Sequence, residues 1–359
     1  MLSRVGHGAA ERDAHPAFPE GPFRELAAAG ILAMPAPAPG DVNGKRRASF
    51  AEEWDVLRAV ARADGSIGRI LDGHLNGIER LSVLAPEPLR SREFAAVAAG
   101  QLRLGVWGAD PVPGEGTPAR LVVTEDGYCL EGVKTYCSDA TGLDRALVAV
   151  RAPAEEPPGP PLLAYIGLSE GMRIDDGWFK ASGMRSSESH RVVFEGAPVL
   201  AVLGRPGELV REPYFGRDAI RTAVTWAGIA DSAVEGALDV LAKKSQGREP
   251  DDIVSLAVGR MLASQGTMDR WLEHAASFVD ANPEASTACF STQLREAVAA
   301  AARDILDVAA WAVGSHPFAT ASTLDRARRD LELILLQHRL EPALARIGKR
   351  PIGERKARA

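Results

Sequence analysis

The chain has 359 residues, with 42 lysines and arginines against 48 aspartates and glutamates, so its formal net charge is −6. Hydrophobic residues make up 46% and charged residues 25%, which is typical of a globular protein and too apolar for a disordered one. The acidic balance, without a long basic block, argues against nucleic acid or an anionic membrane as the main partner.

Cysteine usage and the N-terminus predict the compartment. Cys129, Cys137 and Cys289 form no CxxC motif, so neither a disulfide framework nor a thiolate metal site is expected. The first residues lack the apolar core of a signal peptide, and no run of about 18 apolar residues is present. The sequence therefore predicts a soluble, cytoplasmic protein. At roughly 100–200 residues per domain, its length predicts two or three domains or one composite unit.

The first block, residues 1–100, is predicted to be an α-helical domain. Its apolar residues recur with helical spacing, as Trp54 and Leu57 illustrate. A break then follows, and Ser66 is a candidate N-cap for a helix over residues 67–75.

The second block, residues 101–205, is predicted to be a β domain of four to seven strands. Residues 121–124 and 128–130 are typical strands, and the Asp-Gly between them is a hairpin signal. Three further apolar runs are predicted strands: residues 146–150, 162–166 and 192–194.

The third block, residues 206–359, returns to helical periodicity and is predicted to form a bundle. The last predicted helix begins near Leu324 and continues to His338. Long apolar stripes predict the three helices before it, over residues 219–242, 253–279 and 293–313.

Several well-known functional motifs are absent. No G-x-G-x-x-G follows a strand, so a Rossmann nicotinamide site is not expected. No Walker A, GxSxG, HExxH or EF-hand pattern occurs, which disfavours simple hydrolase, kinase and metalloprotease functions.

Three separated segments carry a family resemblance. Residues 126–138 combine a Gly-Tyr turn with a Lys-x-Tyr-x-Ser element, residues 177–187 contain Gly-Met-Arg before two serines, and residues 324–330 read Leu-x-Arg-x-x-Arg-Asp. In order, spacing and α/β/α texture, the chain resembles the acyl-CoA dehydrogenase superfamily. The resemblance implies an α+β fold with an N-terminal α-helical domain, a middle β-barrel or sandwich domain and a C-terminal helical bundle.

The resemblance also implies a flavoprotein, in which Tyr136 and Ser138 lie against the isoalloxazine ring. An aromatic face packs beside such a ring, and a hydroxyl hydrogen-bonds one of its atoms. Trp107 occupies the place of another aromatic flavin contact, and Arg185 either meets cofactor phosphate or substrate or forms a structural ion pair. Without the resemblance, Tyr136 and Ser138 are ordinary strand residues. The charged residues of the last segment are expected to form a structural ion-pair set: Arg326, Arg329 and Asp330.

Both positions at which the dehydrogenases keep their catalytic glutamate lack a carboxylate here. One position matches His338 and the other matches Ile220. Because loss of a positioned base lowers a rate by about 10²–10⁴-fold, plain acyl-CoA dehydrogenation is disfavoured. His338 instead resembles the flavin monooxygenases of this fold, the dibenzothiophene monooxygenase and hydroxyphenylacetate hydroxylase group. That group also carries an early-helix histidine, which His74 matches.

His338 and His74 are therefore the predicted catalytic residues, since histidine exchanges protons near neutral pH. The alternative for each is a buried structural histidine. His338 shares a core-facing stripe with Leu331 and Leu335, and Gly73 beside His74 indicates close packing. Pro342 removes a backbone donor and predicts an irregular helix near His338.

Departures from the family's FAD-binding elements favour FMN over FAD. The Arg-x-x-Phe-Gly element corresponds to residues 245–250, which contain no Phe, and the Gln-x-x-Gly-Gly element corresponds to residues 311–315, which contain one Gly. A flavin-free relative is compatible with the same losses. The resemblance further implies a dimer or tetramer, and the missing nicotinamide motif implies a separate flavin reductase.

Three functions remain open at this point. The first is a monooxygenase or oxidase that acts on a small molecule with reduced flavin. The second is an FAD-dependent acyl-CoA dehydrogenase with a displaced base. The third is a non-catalytic scaffold that binds no flavin.

Overall fold

The structure is a computed structural model that describes residues 1–38, 45–153, 159–168, 170–337 and 339–356. The helices of the first part are α1 (Leu2–Gly6), α2 (Ala9–Ala14), α3 (Glu20–Ala28), α4 (Phe50–Ala63), α5 (Gly65–Leu84) and α6 (Leu89–Ala98). The strands are β1 (Leu104–Trp107), β2 (Arg120–Thr124), β3 (Gly127–Cys137), β4 (Arg145–Val150), β5 (Leu162–Gly167), β6 (Met172–Asp175) and β7 (His190–Leu203). The later helices are α7 (Tyr214–Ser245), α8 (Asp252–Ala281), α9 (Ser291–Val313), α10 (His316–Ala319), α11 (Thr323–Ile334) and α12 (Glu341–Lys356). The predicted order of helical, strand and helical blocks is confirmed.

Side-chain caps fix where the early helices begin. Ser49 and Glu52 form a reciprocal capping box at the start of α4. The predicted cap of α5 was wrong, because the carboxylate of Asp64, not Ser66, accepts the hydrogen bond from the Ile67 backbone N–H. Asp64 has an extended backbone, which places its carboxylate over the free N–H groups of the first turn, whereas Ser66 already lies inside the helix.

The seven strands form one sheet in the order β1-β4-β5-β7-β3-β2, with β6 also pairing with β7. Only the β1–β4 pair is parallel among these strand pairs. The first part of β7 pairs with β3 and β6, and its last residues pair with β5. The predicted Asp-Gly hairpin is confirmed, since Thr124 pairs with Gly127 across the turn between β2 and β3.

β4 and β5 are buried on both faces, and each face belongs to a different core. Leu147 and Tyr165 pack in a core with the helices, whereas Val148 and Ala164 pack in a core made by the strands. Successive side chains of a strand point to opposite faces, so an uninterrupted apolar run is what such a strand requires. This explains why residues 146–150 carry no polar alternation.

The first and last helical blocks share one apolar core. Leu57 of α4, Ile70 of α5, Trp226 of α7 and Val298 of α9 are all buried in the same cluster. α7 lies at its centre and packs against both early and late helices. The helices before residue 100 therefore complete their core with helices after residue 206.

The last predicted helix ends earlier than expected. α11 stops at Ile334, and α12 begins at Glu341, so a helix running to residue 338 was wrong. Leu335 is the C-cap, and the chain then turns through Leu336 and Gln337.

None of the helices among the described residues is both long and apolar enough to cross a membrane.

The segment between β6 and β7 is pressed against α11 at a glycine. A Cβ atom built on Gly183 would lie 2.1 Å from the backbone oxygen of Arg329 and 2.6 Å from the backbone nitrogen of Asp330. Backbone cannot move aside as a flexible side chain can. Only glycine fits at this junction.

We expect Gly183→Ala to lower the free energy of unfolding by at least about 1–3 kcal/mol, the usual effect of overpacking. The matched control is Gly266→Ala in α8, where an added Cβ meets nothing within 4 Å. That substitution is expected to raise stability by roughly 0.5–1 kcal/mol, because alanine favours a helix. Urea unfolding followed by circular dichroism measures both, and equal effects would contradict the proposed clash.

Candidate functional site

An aromatic pair, an exposed tyrosine and a half-buried tryptophan, marks the end of β3. Tyr136 is 57% exposed and has a φ of 52°, a left-handed conformation that is rare for a residue with a side chain. The pairing register with β7 shifts between Lys134 and Cys137, so the bulge at this place redirects the Tyr136 side chain. Its ring meets that of Trp178 edge to face, with ring centroids 5.0 Å apart.

A chain of hydroxyl groups lies directly beyond Tyr136. The Oγ atoms of Ser138 and Ser189 are 3.0 Å apart, and those of Ser189 and Ser187 are 2.8 Å apart. Ser138 is half-buried, whereas Ser187 and Ser189 are buried. Such a chain orients the Ser138 hydroxyl and leaves it capable of further hydrogen bonds.

Trp107 supports this site from behind, which corrects its predicted role as a flavin contact. Its ring is only 1% exposed and packs in the core of the strands. Its Nε1–H donates a 3.0 Å hydrogen bond to the backbone carbonyl of Ser138. With its face covered and its donor occupied, Trp107 holds Ser138 in place and offers no surface to a cofactor.

Arg185 lies in a short 3-10 turn, Arg185–Ser187, between the two residues Met184 and Glu188, which both have positive φ. It is half-buried, and its guanidinium has no hydrogen bond or ion pair to any residue that the structure describes. The structural ion pair considered as its alternative role is therefore not formed. Its five N–H donors remain available for an anionic group.

Asp330 anchors this turn to α11. Its carboxylate, 3% exposed, accepts a hydrogen bond from the Met184 backbone N–H. Burial raises the pKa of Asp330 to about 7, although the Met184 hydrogen bond opposes the shift. Of the predicted ion-pair set, only Arg329 forms ion pairs with described residues, and its partners are Asp13 and Asp325 rather than Asp330. Asp330 binds the Met184 backbone instead, and Arg326 forms no ion pair with a described residue.

His74 is fully engaged by the backbone. It is 1% exposed; its Nε2 lies 2.9 Å from the Leu32 carbonyl oxygen, and its Nδ1 accepts a 3.0 Å hydrogen bond from the Leu104 N–H. These bonds require a neutral ring that carries its proton on Nε2. Since neither nitrogen is free for a substrate, the structure supports the structural alternative for His74 and gives no support to its catalytic role.

His338 lies outside the described residues, between the end of α11 and the start of α12. Its predicted role as a catalytic histidine stays a prediction.

Sequence reasoning missed three polar or aromatic residues at this site. Trp178 stands in the Gly-Trp segment and Ser189 in a serine-rich run, so the sequence did mark both places. The third is His190, whose Nε2 lies 3.2 Å from the Glu188 carboxylate while its buried Nδ1 makes no hydrogen bond with a described residue. The strand pattern alone gave no reason to separate His190 from its neighbours.

A cavity of about 1510 Å³ lies elsewhere, between the segment before α4, α5, α6 and the start of α7. Its walls include Phe50, Glu79, Tyr214 and Arg217, and none of the predicted site residues. Arg217 and Glu79 form an ion pair at 2.9 Å, so these two charges on the cavity wall partly neutralise each other. Within the described chain, no three His, Cys, Asp or Glu side chains converge to hold a metal ion.

Comparison with known proteins identifies the fold of the chain. No protein-family model matches it. The fold is similar to that of the dibenzothiophene monooxygenase TdsC from Paenibacillus sp. A11-2, solved with FMN and indole, with a TM-score of 0.82, 19% identity, and 98% of this chain and 95% of that chain covered. It is also similar to the methanesulfinate monooxygenase MsuC from Pseudomonas fluorescens, with a TM-score of 0.81, 20% identity, and 98% and 95% of the two chains covered. The chain thus has the acyl-CoA dehydrogenase-like fold of these monooxygenases.

The sequence is also similar to that of a curated monooxygenase. Over 217 residues the chain is 27% identical to dibenzothiophene monooxygenase from Rhodococcus erythropolis. The match covers 56% of this chain and 49% of the relative, so the chain spans about half the length of the curated relatives it matches. The resemblance predicted from the three sequence segments is confirmed.

The buried His74 makes stability depend on pH. Desolvation lowers its pKa from 6.5 to about 4, although the Leu32 hydrogen bond opposes the shift. Between these two values the unfolded chain binds a proton and the folded chain does not, so the free energy of unfolding falls as the pH drops from about 6.5 to about 4. His74→Gln is expected to remove roughly 3 kcal/mol of this dependence, at about 1.4 kcal/mol per pKa unit.

Urea unfolding at several pH values measures the difference between His74→Gln and the parent chain. Other titrating groups cancel in that difference. His316→Gln, at an exposed histidine of α10, is the matched control and should leave the pH dependence unchanged. An identical pH dependence in all three proteins would contradict a neutral, hydrogen-bonded His74.

Proposed function

We propose that the chain is a flavin-dependent monooxygenase that acts on a small organic molecule with reduced FMN supplied by a separate reductase. The observation that carries the proposal is the strained, exposed Tyr136 beside Trp178, followed by the oriented hydroxyl of Ser138. Strain in a non-glycine backbone persists where its surroundings enforce it, often at a binding site. An aromatic pair with one exposed ring, next to a hydroxyl that can form a further hydrogen bond, suits a planar, polar-edged ring system.

The residues present fit FMN. Tyr136 and Trp178 would pack against the flavin ring, Ser138 would hydrogen-bond its polar edge, and the unpaired guanidinium of Arg185 would bind the single phosphate. FMN is bound in the solved structure of TdsC, which supports this choice over FAD. The predicted preference for FMN, made from the altered FAD-binding elements, agrees with it.

Bound reduced FMN would supply two electrons, so that one atom of O₂ enters the substrate and the other leaves as water. The chain's own residues supply binding, orientation and exclusion of water. Ser138 is held by Trp107 and Ser189, and the turn that carries Arg185 is held by Asp330. We assign proton transfer to His338, and we assign to His74 the positioning of β1 against α5.

Acyl-CoA dehydrogenation remains the weaker proposal. The position of one family glutamate is Ile220, a fully buried aliphatic side chain in α7. Such a residue neither accepts a proton nor reaches a substrate with a polar group. The other position of the family glutamate is His338. Of the two positions, only His338 therefore carries a side chain that can act as a base.

A homo-oligomer and a cytoplasmic location are part of the proposal. Ile253 and Leu256 of α8 and Trp311 of α9 are 62%, 55% and 63% exposed. Large apolar side chains exposed on the late helices suit contact with a second copy of the chain. All three cysteines are unpaired, as in a reducing compartment.

Tyr136→Ala should weaken FMN binding about 5- to 30-fold, because an aromatic contact and its burial contribute roughly 1–2 kcal/mol. Tyr128→Ala is the matched control, since Tyr128 is another exposed tyrosine of the same strand, 45% exposed. Quenching of flavin fluorescence during titration gives both dissociation constants. Equal weakening by the two substitutions would contradict a flavin site at Tyr136.

The reaction itself is tested with ¹⁸O₂. The chain, chemically reduced FMN and a panel including indole, dibenzothiophene and small sulfinates are mixed, and the products are analysed by mass spectrometry. We expect one ¹⁸O atom in a product. Formation of hydrogen peroxide alone across the panel would contradict monooxygenation, and anaerobic bleaching of bound flavin by CoA thioesters would favour the dehydrogenase.

A further inference from the structure

Arg295 of α9 presents an unoccupied pair of donors to the protein interior. The residue is 9% exposed, and its Nε and Nη2 atoms are buried without a hydrogen-bond partner among the described residues. Its guanidinium carbon lies 5.3 Å from the ring centre of Trp226 in α7, which holds the group in place by a cation–π contact. A buried donor without a partner is costly to stability, and here two occur on one side chain.

The two free donors form the edge of guanidinium that binds an oxyanion in a bidentate manner. Arg58 shows the same edge in use: its Nε and Nη2 donate to the two carboxylate oxygens of Asp231, at 2.7 Å and 3.0 Å. Paired N–H donors match the spacing of two oxygens on one carbon, sulfur or phosphorus atom. Arg295 has this geometry without the carboxylate.

Two neighbouring helices contribute further unsatisfied polar atoms. Arg221 of α7 is fully buried and donates to Glu53 and Glu79, but its Nη2 has no partner in the described part of the chain. Asp72 of α5 is also fully buried; one carboxylate oxygen accepts from Arg69, and the other is unpaired by the same criterion. Arg221 and Asp72 interact electrostatically with each other, and Asp72 interacts with Arg295.

Neighbouring carboxylates do not bind the Nε and Nη2 donors of Arg295, which form its two-donor fork. Burial lowers the pKa of Arg295, and the negative charges of Asp218 and Asp72 oppose that shift. Neither carboxylate forms a hydrogen bond with Nε or Nη2 of Arg295. Burial also raises the pKa of Asp72 to about 7, so its acid form is accessible near neutral pH and would donate to an anion.

One side of this region reaches open space. Gly73, next to Asp72, is only partly buried, and a Cβ added to it would meet nothing within 4 Å. Asp218 is also only partly buried. Gly73 and Asp218 therefore mark the side on which this region lies nearest to solvent.

We propose that Arg295, with Arg221 and Asp72, forms a binding site for a small oxyanionic group, a carboxylate, sulfinate or phosphate, between α5, α7 and α9. The group belongs either to the organic substrate or to a free anion. The first case rests on the proposed monooxygenase function and defines its substrate as an acid. The second stands without it.

Calorimetric titration of the full chain tests the site at constant ionic strength. The probes are benzoate, its neutral counterpart benzyl alcohol, acetate and inorganic phosphate. We expect benzoate to bind at least tenfold more tightly than benzyl alcohol. Tight binding of benzoate with weak binding of acetate and phosphate assigns the site to a substrate's acidic group. Equal binding of acetate or phosphate assigns it to a free anion.

Arg295→Lys keeps the positive charge and removes the fork, so it should weaken benzoate binding at least tenfold. Arg303→Lys, at an exposed arginine of the same helix, is the matched control and should bind like the parent chain. Asp218→Asn removes a nearby negative charge and should strengthen binding, an effect opposite in sign that a damaged fold would not produce.

Failure of all three anions to bind at millimolar concentration would overturn the proposal, as would equal affinities of Arg295→Lys and Arg303→Lys. Because these titrations need neither flavin nor oxygen, their failure would leave the ¹⁸O₂ result standing. Conversely, if the chain binds benzoate through Arg295 but yields no labelled product, the proposed anion site stands and the proposed monooxygenase function is contradicted.

Discussion

The buried carboxylate of Asp330 joins three parts of the chain that are far apart in sequence. It accepts the backbone N–H of Met184, and its second oxygen would lie 3.0 Å from a Cβ added to Gly65, at the start of α5. α11, the turn before β7 and the first turn of α5 thus meet at one side chain. The turn Arg185–Ser187 begins directly after Met184, so the geometry of the proposed flavin site depends on this contact.

A second constraint is the network of buried charges in the helical core. Arg221 donates to Glu53 and Glu79 at 2.6 Å each, and all three side chains are nearly inaccessible to water. A buried ion pair contributes little net stability, but removing one partner leaves an uncompensated charge. Such a network therefore restricts how α4, α5 and α7 can be arranged. Arg295 is the exception in this region, because its fork has no carboxylate.

Local signals in the sequence were sufficient for the strands and for the order of the blocks. The hairpin turn before Gly127 and the apolar run at residues 146–150 depend only on neighbours in the chain, and both were predicted. Tyr136 was assigned to the flavin site by resemblance, but its left-handed backbone was not foreseen, because a Lys-x-Tyr-x-Ser pattern is compatible with a regular strand. The partners of Arg221 lie 168 and 142 residues away, and no local pattern encodes such pairs.

The errors have local physical reasons as well. Asp64 and Ser66 are both good capping residues, and only the position of the first turn decides between them. Trp107 was matched to a flavin contact, yet its ring faces the strand core, because the side chains of β1 alternate between two buried faces. Trp107 instead donates a hydrogen bond to the Ser138 carbonyl, a contact that the sequence cannot indicate.

The core shared by the two helical blocks has a consequence for synthesis on the ribosome. When about the first 205 residues have emerged, the strands already hold the residues of their own core, which spans Trp107 to Ala197. The early helices, in contrast, still lack α7 and α9, against which their apolar faces pack. Domains generally fold from the N-terminus as synthesis proceeds. Here the middle of the chain can fold first, and the N-terminal helices must wait, with apolar surface exposed, for the last third of the protein.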